Sequence, residues 1–402
     1  MAAWNTEILG SIAEMATDKI SVSKLTAESY ISTENMLPDR GGVELAEKLP
    51  PSGSVNAFLP GDVLFSNIRT YFKKVWLAPR QGGASTDVIV FRPRDGRKLD
   101  SQYLYYVLSS DTFIESTVTA SKGTKMPRGD KEAMRRFEFS LPSLPTQRRI
   151  AGILSAYDEL IENSQRRIRI LESMARALYR EWFVHFRFPG HESVPFAASE
   201  RGEIPKGWEV QLVPDCVTVN PRVTVSRDGV KPFVPMGCLS NDSMVIADLE
   251  SRIGNSGSKF QNGDTLFARI TPSLENGKTG FVQFLPDGDA VAFGSTEFIV
   301  LRSHTLTPEF VYCLARSDEF RSVAIKSMSG ASGRQRVQEQ CFNELQIVCP
   351  PSTLLEAFTT IAGPTFQLIH QLHGQIQNLR QTRDLLLSRL ISGELDVEVS
   401  AA

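Results

Sequence analysis

Few residues in this 402-residue chain stand where side-chain chemistry could begin. Glu275 and Lys278 come nearest to the carboxylate–lysine set of a metal-dependent nuclease, but their spacing does not fit one. Asn220-Pro221 is followed by Arg222, so the Asn-Pro-Pro-aromatic loop that methylates amino groups of bases is absent. No Gly-x-Gly-x-x-Gly and no Gly-x-x-x-x-Gly-Lys-Ser/Thr string occurs, which leaves a dinucleotide or ATP site unsupported. Of five histidines, His370 and His373 have the helical spacing of a metal pair, yet no carboxylate adjoins them. They read as solvated or interfacial. The five cysteines include no Cys-x-x-Cys pair, so neither a zinc ribbon nor a redox motif is indicated. They read as small apolar side chains in a reducing compartment. The chain is expected to hold no catalytic residue, no metal and no cofactor of its own.

A different chemistry is available to the basic loops. Residues 64–98 carry Arg69, Lys73, Lys74, Arg80, Arg92, Arg94, Arg97 and Lys98 against Asp87 and Asp95. Residues 116–136 carry Lys122, Lys125, Arg128, Lys131, Arg135 and Arg136 against Asp130 and Glu132. Residues 321–336 carry Arg321, Lys326, Arg334 and Arg336 with no acid. The strings SKGTKMPRGDK and SMSGASGRQR are Ser/Gly-rich loops with long donors. Such loops can offer backbone N–H and cationic groups to phosphates while Arg, Gln or Asn reaches base edges. The net charge of −2 argues against a nucleic-acid binder only if charge is averaged over surfaces with different tasks.

The loops must be positioned by elements, and these occur twice. Gly61-Asp-Val-Leu-Phe-Ser returns as Gly263-Asp-Thr-Leu-Phe-Ala, and Ser85-Thr-Asp-Val-Ile-Val-Phe-Arg as Ser295-Thr-Glu-Phe-Ile-Val-Leu-Arg. Tyr103-Leu-Tyr-Tyr-Val-Leu-Ser-Ser-Asp returns as Phe310-Val-Tyr-Cys-Leu-Ala-Arg-Ser-Asp. The period is roughly 200 residues, with loops of differing length between shared blocks. Each copy reads as α+β. DVIVFRP and EFIVLRS are strands, 101–116 and 307–324 are helical, and FEFSLPS and LQIVCPP are closing strands stopped by proline.

After each copy the pattern changes to heptads. Ile150, Leu154, Tyr157, Ile161, Ser164, Ile168, Leu171, Ala175, Leu178 and Trp182 alternate steps of four and three. Ile369, Leu372, Ile376, Leu379, Arg383, Leu386 and Leu390 form a second seam. The two helices are predicted to pair as an antiparallel coiled coil, giving the chain a pseudo-two-fold repeat. Pro364 predicts a kink or a delayed start, with regular helix from about Thr365, and Gly393 a stop. The boundaries are then 1–145 for the first domain and 146–186 for the central helix. A linker at 187–207 follows, then a second domain at 208–351, a C-terminal helix at 352–393 and a tail at 394–402. With no basic, apolar leader and no run near 18 apolar residues, a cytoplasmic location is expected.

These strings resemble the specificity subunits of type I restriction–modification systems, over nearly the whole chain. EWFVHFRFPGHE with IPKGWEV resembles the family's junction between central helix and second domain. YISTENMLPDRGGV and SGSKFQNGDTLFARITPSLENGKTGFV with GSTEFIVLR resemble its target-recognition motifs, and LPSLPTQRRIAGILSAYDELI its helix start. The resemblance implies two target recognition domains, each reading one half of a split double-stranded DNA site. The helices would set the spacer and dock two modification subunits. Those partners would carry S-adenosylmethionine and methylate adenine, and restriction subunits using ATP and magnesium could join them. Carried onto this chain, the DNA-binding candidates are Arg69, Lys73, Lys74, Lys122, Lys125 and Arg128, then Arg269, Asn276, Lys278, Arg334, Gln335 and Arg336. The seam residues are the helix-pairing and partner candidates. The alternative is a free-standing bipartite DNA-binding regulator or decoy, and a stand-alone nuclease or methyltransferase ranks third.

Overall fold

The computed structural model describes residues 4–395 and residue 397. It divides into two compact units: residues to Ile161 together with those from Asn378, and Glu162–Gln377.

In the first unit, one four-stranded sheet has the order Ala13–Met15, Val88–Pro93, Val63–Ser66, Val75–Leu77. All four residues of Val63–Ser66 are buried, because the sheet is covered on both faces. Helices Ser101–Ser109 and Asp111–Thr119 supply Tyr103, Tyr106, Leu108 and Phe113 to the same core. A second four-stranded sheet runs Lys19–Ser21, Ser54–Phe58, Gly82–Ala84, Tyr30–Ile31. Glu138–Leu141 closes the chain antiparallel to Asn5–Ile8.

The second unit repeats this frame. Val217–Val219, Phe298–Ser303, Thr265–Ala268 and Thr279–Phe281 form its first sheet, and Gln346–Cys349 closes on Glu209–Leu212. Its second sheet has the order Glu250–Ile253, Val230–Val234, Ala292–Gly294, Ser258–Phe260. The linker stretch is structured, since Phe196–Ser199 pairs antiparallel with Gly202–Pro205.

The repeated sequence blocks meet in space. Asp62 takes the Leu59 N–H at 2.7 Å and is gripped by Arg92 at 2.8 and 2.7 Å. Asp264 takes the Gln261 N–H at 2.8 Å and is gripped by Arg302 at 2.7 and 2.6 Å. The Gly-Asp turn and the arginine of the later strand are therefore one bidentate ion pair, made twice. The expected single helices at 101–116 and 307–324 are each two. Ser110 and Ser317 adopt extended backbone and cap the next helix, accepting from the N–H of Phe113 and Phe320 at 3.3 Å.

The long helices are Leu144–Tyr179, continued by a wider π turn at Arg180–Val184, and Ser352–Ile391. The second runs straight through Pro364, so the expected start near Thr365 is corrected. A proline removes one backbone donor, here to Thr360. Burial of Phe358, Ala362, Phe366 and Ile369 holds the helix on both sides of that gap. The chain leaves the helix at Gly393, whose φ is +73° and whose N–H points to the Leu390 carbonyl at 3.4 Å.

Within the first unit the helices run antiparallel. Arg383 donates to Asp158 at 2.6 Å, while the earlier Arg149 reaches the later Val397 carbonyl at 2.7 Å. Ile150, Leu154, Leu387 and Leu390 share the core. Within the second unit Trp182 and Phe183 pack on Phe358, at 6.2 and 5.1 Å between ring centroids. Ile150, Leu154, Ile161, Ser164, Ile168, Ala175 and Trp182 are buried on the first seam, and Ile369, Leu372, Ile376, Arg383 and Leu390 on the second. Tyr157, Leu171, Leu178, Leu379 and Leu386 are half-buried, and Leu387 rather than Leu386 takes the deeper place. No helix among the described residues is long and apolar enough to cross a membrane.

Candidate nucleic-acid interface

Each unit presents a loop after its second short helix, fastened back to the frame in the same way. In the first, Lys122 and Arg128 exchange backbone hydrogen bonds at 2.9 Å, and the Arg69 N–H meets the Pro127 carbonyl at 2.8 Å. In the second, Ser329 and Arg336 exchange bonds at 3.0 and 2.9 Å, and the Thr271 N–H meets the Gln335 carbonyl at 3.0 Å. Gly123 and Gly330 turn these loops with φ of +100° and +127°. L side chains rarely adopt such a backbone.

One ion pair sits at the base of each loop. Arg128 meets Asp87 at 2.9 Å and Arg336 meets Glu297 at 2.7 Å. The Arg336 guanidinium hydrogen-bonds Glu297 and holds its carboxyl below the usual range. Lys122 pairs with Asp130 at 2.7 Å, which raises its ammonium pKa. Lys125 at the loop tip is exposed, as is Arg334, and neither side chain has a partner among the described residues.

The other candidates divide by what they hold. Arg69, at φ +49°, donates to the Lys125 carbonyl at 3.2 Å and ties the strand turn to the loop. Lys73 pairs with Asp111 at 2.6 Å. Lys74 and Lys278 occupy equivalent places and turn inward. Lys74 donates to the Thr33 carbonyl at 2.7 Å, and Lys278 to Met236 and Leu239 at 3.3 and 2.8 Å. Burial lowers the Lys74 pKa. Arg269 pairs with Glu339 at 2.6 Å, and Asn276 is exposed. Gln335 is half-buried, with only its backbone carbonyl engaged by Thr271.

Sequence reasoning passed over a basic trough in the second unit. Two open clefts of about 390 and 660 Å³ share Thr296 and carry Arg222, Lys259 and Arg269 in one, Arg227, Arg252 and Asn255 in the other. Asn220-Pro221-Arg222 had signalled only what it was not. These arginines are scattered singly along the chain, and only the fold gathers them. His370 and His373 line a small apolar cavity of about 100 Å³ with Val245, Ile246 and Phe281. No group of three His, Cys, Asp or Glu residues is assembled among the described residues.

Two copies of one α+β frame, each followed by a long helix and each presenting a pinned basic loop, define a tandem recognition-domain protein. Residues 4–173 match the family model of the type I restriction modification DNA specificity domain. The MjaIX specificity subunit of Methanocaldococcus jannaschii is 25% identical over 98% of this chain and 94% of its own length. The EcoEI specificity subunit of Escherichia coli is 32% identical over 38% of this chain and 26% of its own. The crystal structure of a type I restriction–modification S subunit from M. genitalium shares the fold. It has a TM-score of 0.57 and 16% identity, covering 98% of this chain and 97% of that one. Residues 4–173 thus resemble a type I restriction modification DNA specificity domain, and the chain as a whole is similar in sequence to type I specificity subunits.

Proposed function

We propose that this chain is the DNA-reading, non-catalytic subunit of a type I restriction–modification complex. Each unit reads one half of a bipartite duplex site, and the helices set the spacer and dock the methyltransferase. The observation that carries this reading is the doubled loop. A family whose domain is a DNA specificity domain here presents two equivalent basic loops, pinned by Arg128–Asp87 and Arg336–Glu297. In this reading Lys125 and Arg334 meet phosphates and Gln335 a base edge, which the exposure of the two cations and the Gln335 amide, unengaged among the described residues, support.

Two modification subunits, carrying S-adenosylmethionine, complete the methylating complex in this proposal. Restriction subunits, with ATP and magnesium, belong to its cleaving form. The work is cytoplasmic, which suits five free cysteines. The test is co-expression with the methyltransferase subunit and mapping of methylated adenines. The expected result is one bipartite site with a fixed spacer. Methyl transfer by the purified chain alone, or no site-specific methylation with the partner present, would overturn the reading.

A further inference from the structure

The two units differ at one edge of one sheet. In both, a central strand, Gly82–Ala84 or Ala292–Gly294, has a parallel neighbour on one side and an antiparallel neighbour on the other. The first unit adds Lys19–Ser21 beyond the antiparallel neighbour. The second adds Glu250–Ile253 on the opposite edge, beyond the parallel neighbour Val230–Val234. The shared frame therefore carries a different outer strand in each copy, and in the second copy this strand borders the basic trough.

The register places Lys231 directly opposite Arg252 and Val230 opposite Ile253. Both cations are steered within the ribbon, Lys231 by the Asp228 and Gly229 carbonyls and Arg252 by the Glu250 carboxylate. Arg252 is held ready, with its guanidinium 3.7 Å from the Phe233 ring centroid and Nε 2.8 Å from Glu250. Arg222 and Arg227, on the segment leading into the ribbon, are exposed and have no partner among the described residues. The other face of the pair exposes apolar groups, with Val230 66% and Ile253 72% accessible. Charges on an edge strand guard it against pairing, and the exposed Val230 and Ile253 tips are the part of this ribbon that such protection does not account for.

We propose that the ribbon Val230–Val234 with Glu250–Ile253 is the element of the second unit that enters the DNA major groove, and that Arg222, Arg227 and Ile253 determine part of its half-site. The groove of B-DNA admits a two-stranded ribbon. Arginine pairs there with guanine, and an apolar side chain meets the thymine methyl. The trough behind the ribbon follows the phosphates through Lys259 and Arg269. This rests on the DNA-reading role proposed above.

The test uses the full chain in complex with its methyltransferase subunit, comparing wild type with Arg222→Ala, Arg227→Ala and Ile253→Ala. All three side chains are exposed, and thermal unfolding checks that the fold is kept. The expected result is an unchanged first half-site and spacer, with discrimination at one or more positions of the second half-site lowered about tenfold. Variants that methylate the same second half-site as wild type overturn the proposal, as does uniformly slower methylation with specificity intact. Failure of the methyltransferase to co-purify would mark the ribbon as a protein-docking surface and also overturn it. Absence of any site-specific methylation by the wild-type complex would instead remove the DNA-reading role itself.

Discussion

Lys125 and Gln335 sit on equivalent loops but would take different roles in the proposed DNA complex. Lys125 is an exposed ammonium at a loop tip, free to follow any phosphate. Gln335 has its backbone fixed by Thr271 while its amide is unengaged. Lys125→Ala is expected to weaken binding to all duplexes alike and to reduce the salt dependence by about one counterion. Gln335→Ala is expected to relax one base position in the second half-site, by about 1–3 kcal/mol of discrimination. Titrations of matched and mismatched duplexes at several salt concentrations separate the two. A sequence-dependent effect of Lys125→Ala would reverse the assignment. At this scale the sequence is half legible. The repeated Gly-Asp and terminal Arg announce the Asp62–Arg92 and Asp264–Arg302 pairs, because both partners lie inside recurring blocks. Lys74 and Lys278 look like surface cations in the sequence, yet each donates to backbone carbonyls inside the fold. Charge alone does not tell a ligand-facing lysine from a structural one.

Elements are held by two buried ionic clusters that no periodicity reveals. In the second unit Glu172, on the first long helix, is 1% accessible. It accepts from the Tyr312 hydroxyl at 2.5 Å and the Met244 N–H at 2.9 Å, and lies 3.5 Å from Arg316. In the first unit Arg383 joins Asp158 at 2.6 Å and Asp384 at 3.0 Å, and Arg40 reaches Asp384 at 3.2 Å. A seam read as apolar a and d positions takes Arg383 for a flaw. It is instead the pin that sets helix register in the first unit, a use known for polar groups in coiled coils. Glu172→Ala leaves the buried Arg316 guanidinium without its counter-ion and the Tyr312 hydroxyl and Met244 N–H without their acceptor, and should cost about 3–5 kcal/mol. The exposed pair Arg166–Glu162 is the control, and Arg166→Ala should cost under about 1 kcal/mol. Urea midpoints of the two variants decide this, and equal midpoints would show that the cluster does not hold the element. The heptads were legible because their period is regular. The Glu172 contacts were not, since their partners lie 72 to 144 residues away in sequence.

For the whole molecule, the net charge of −2 is a sum over basic loops, a basic trough and acidic surfaces elsewhere. It therefore carries little information about any one surface. Length is more informative. Each unit has its own core, and Leu144–Tyr179 begins in the first unit and ends in the second. In the proposed spacer role, a helix would convert residue number into distance, at about 1.5 Å per residue. Removing Glu162–Ile168 together with Gly374–Arg380 takes one heptad from each helix and leaves the Glu172 and Arg383 clusters intact. The loss of about 10 Å corresponds to about three base pairs of B-DNA, taking one turn as roughly 34 Å. The shortened protein, in complex with its methyltransferase, should methylate sites whose spacer is about three base pairs shorter, with both half-site sequences unchanged. Because each loop and its half of the frame stay intact, base reading has no reason to change. A mapped site with the original spacer would show that the helices do not act as the ruler. Altered half-sites would show that recognition is not confined to the units.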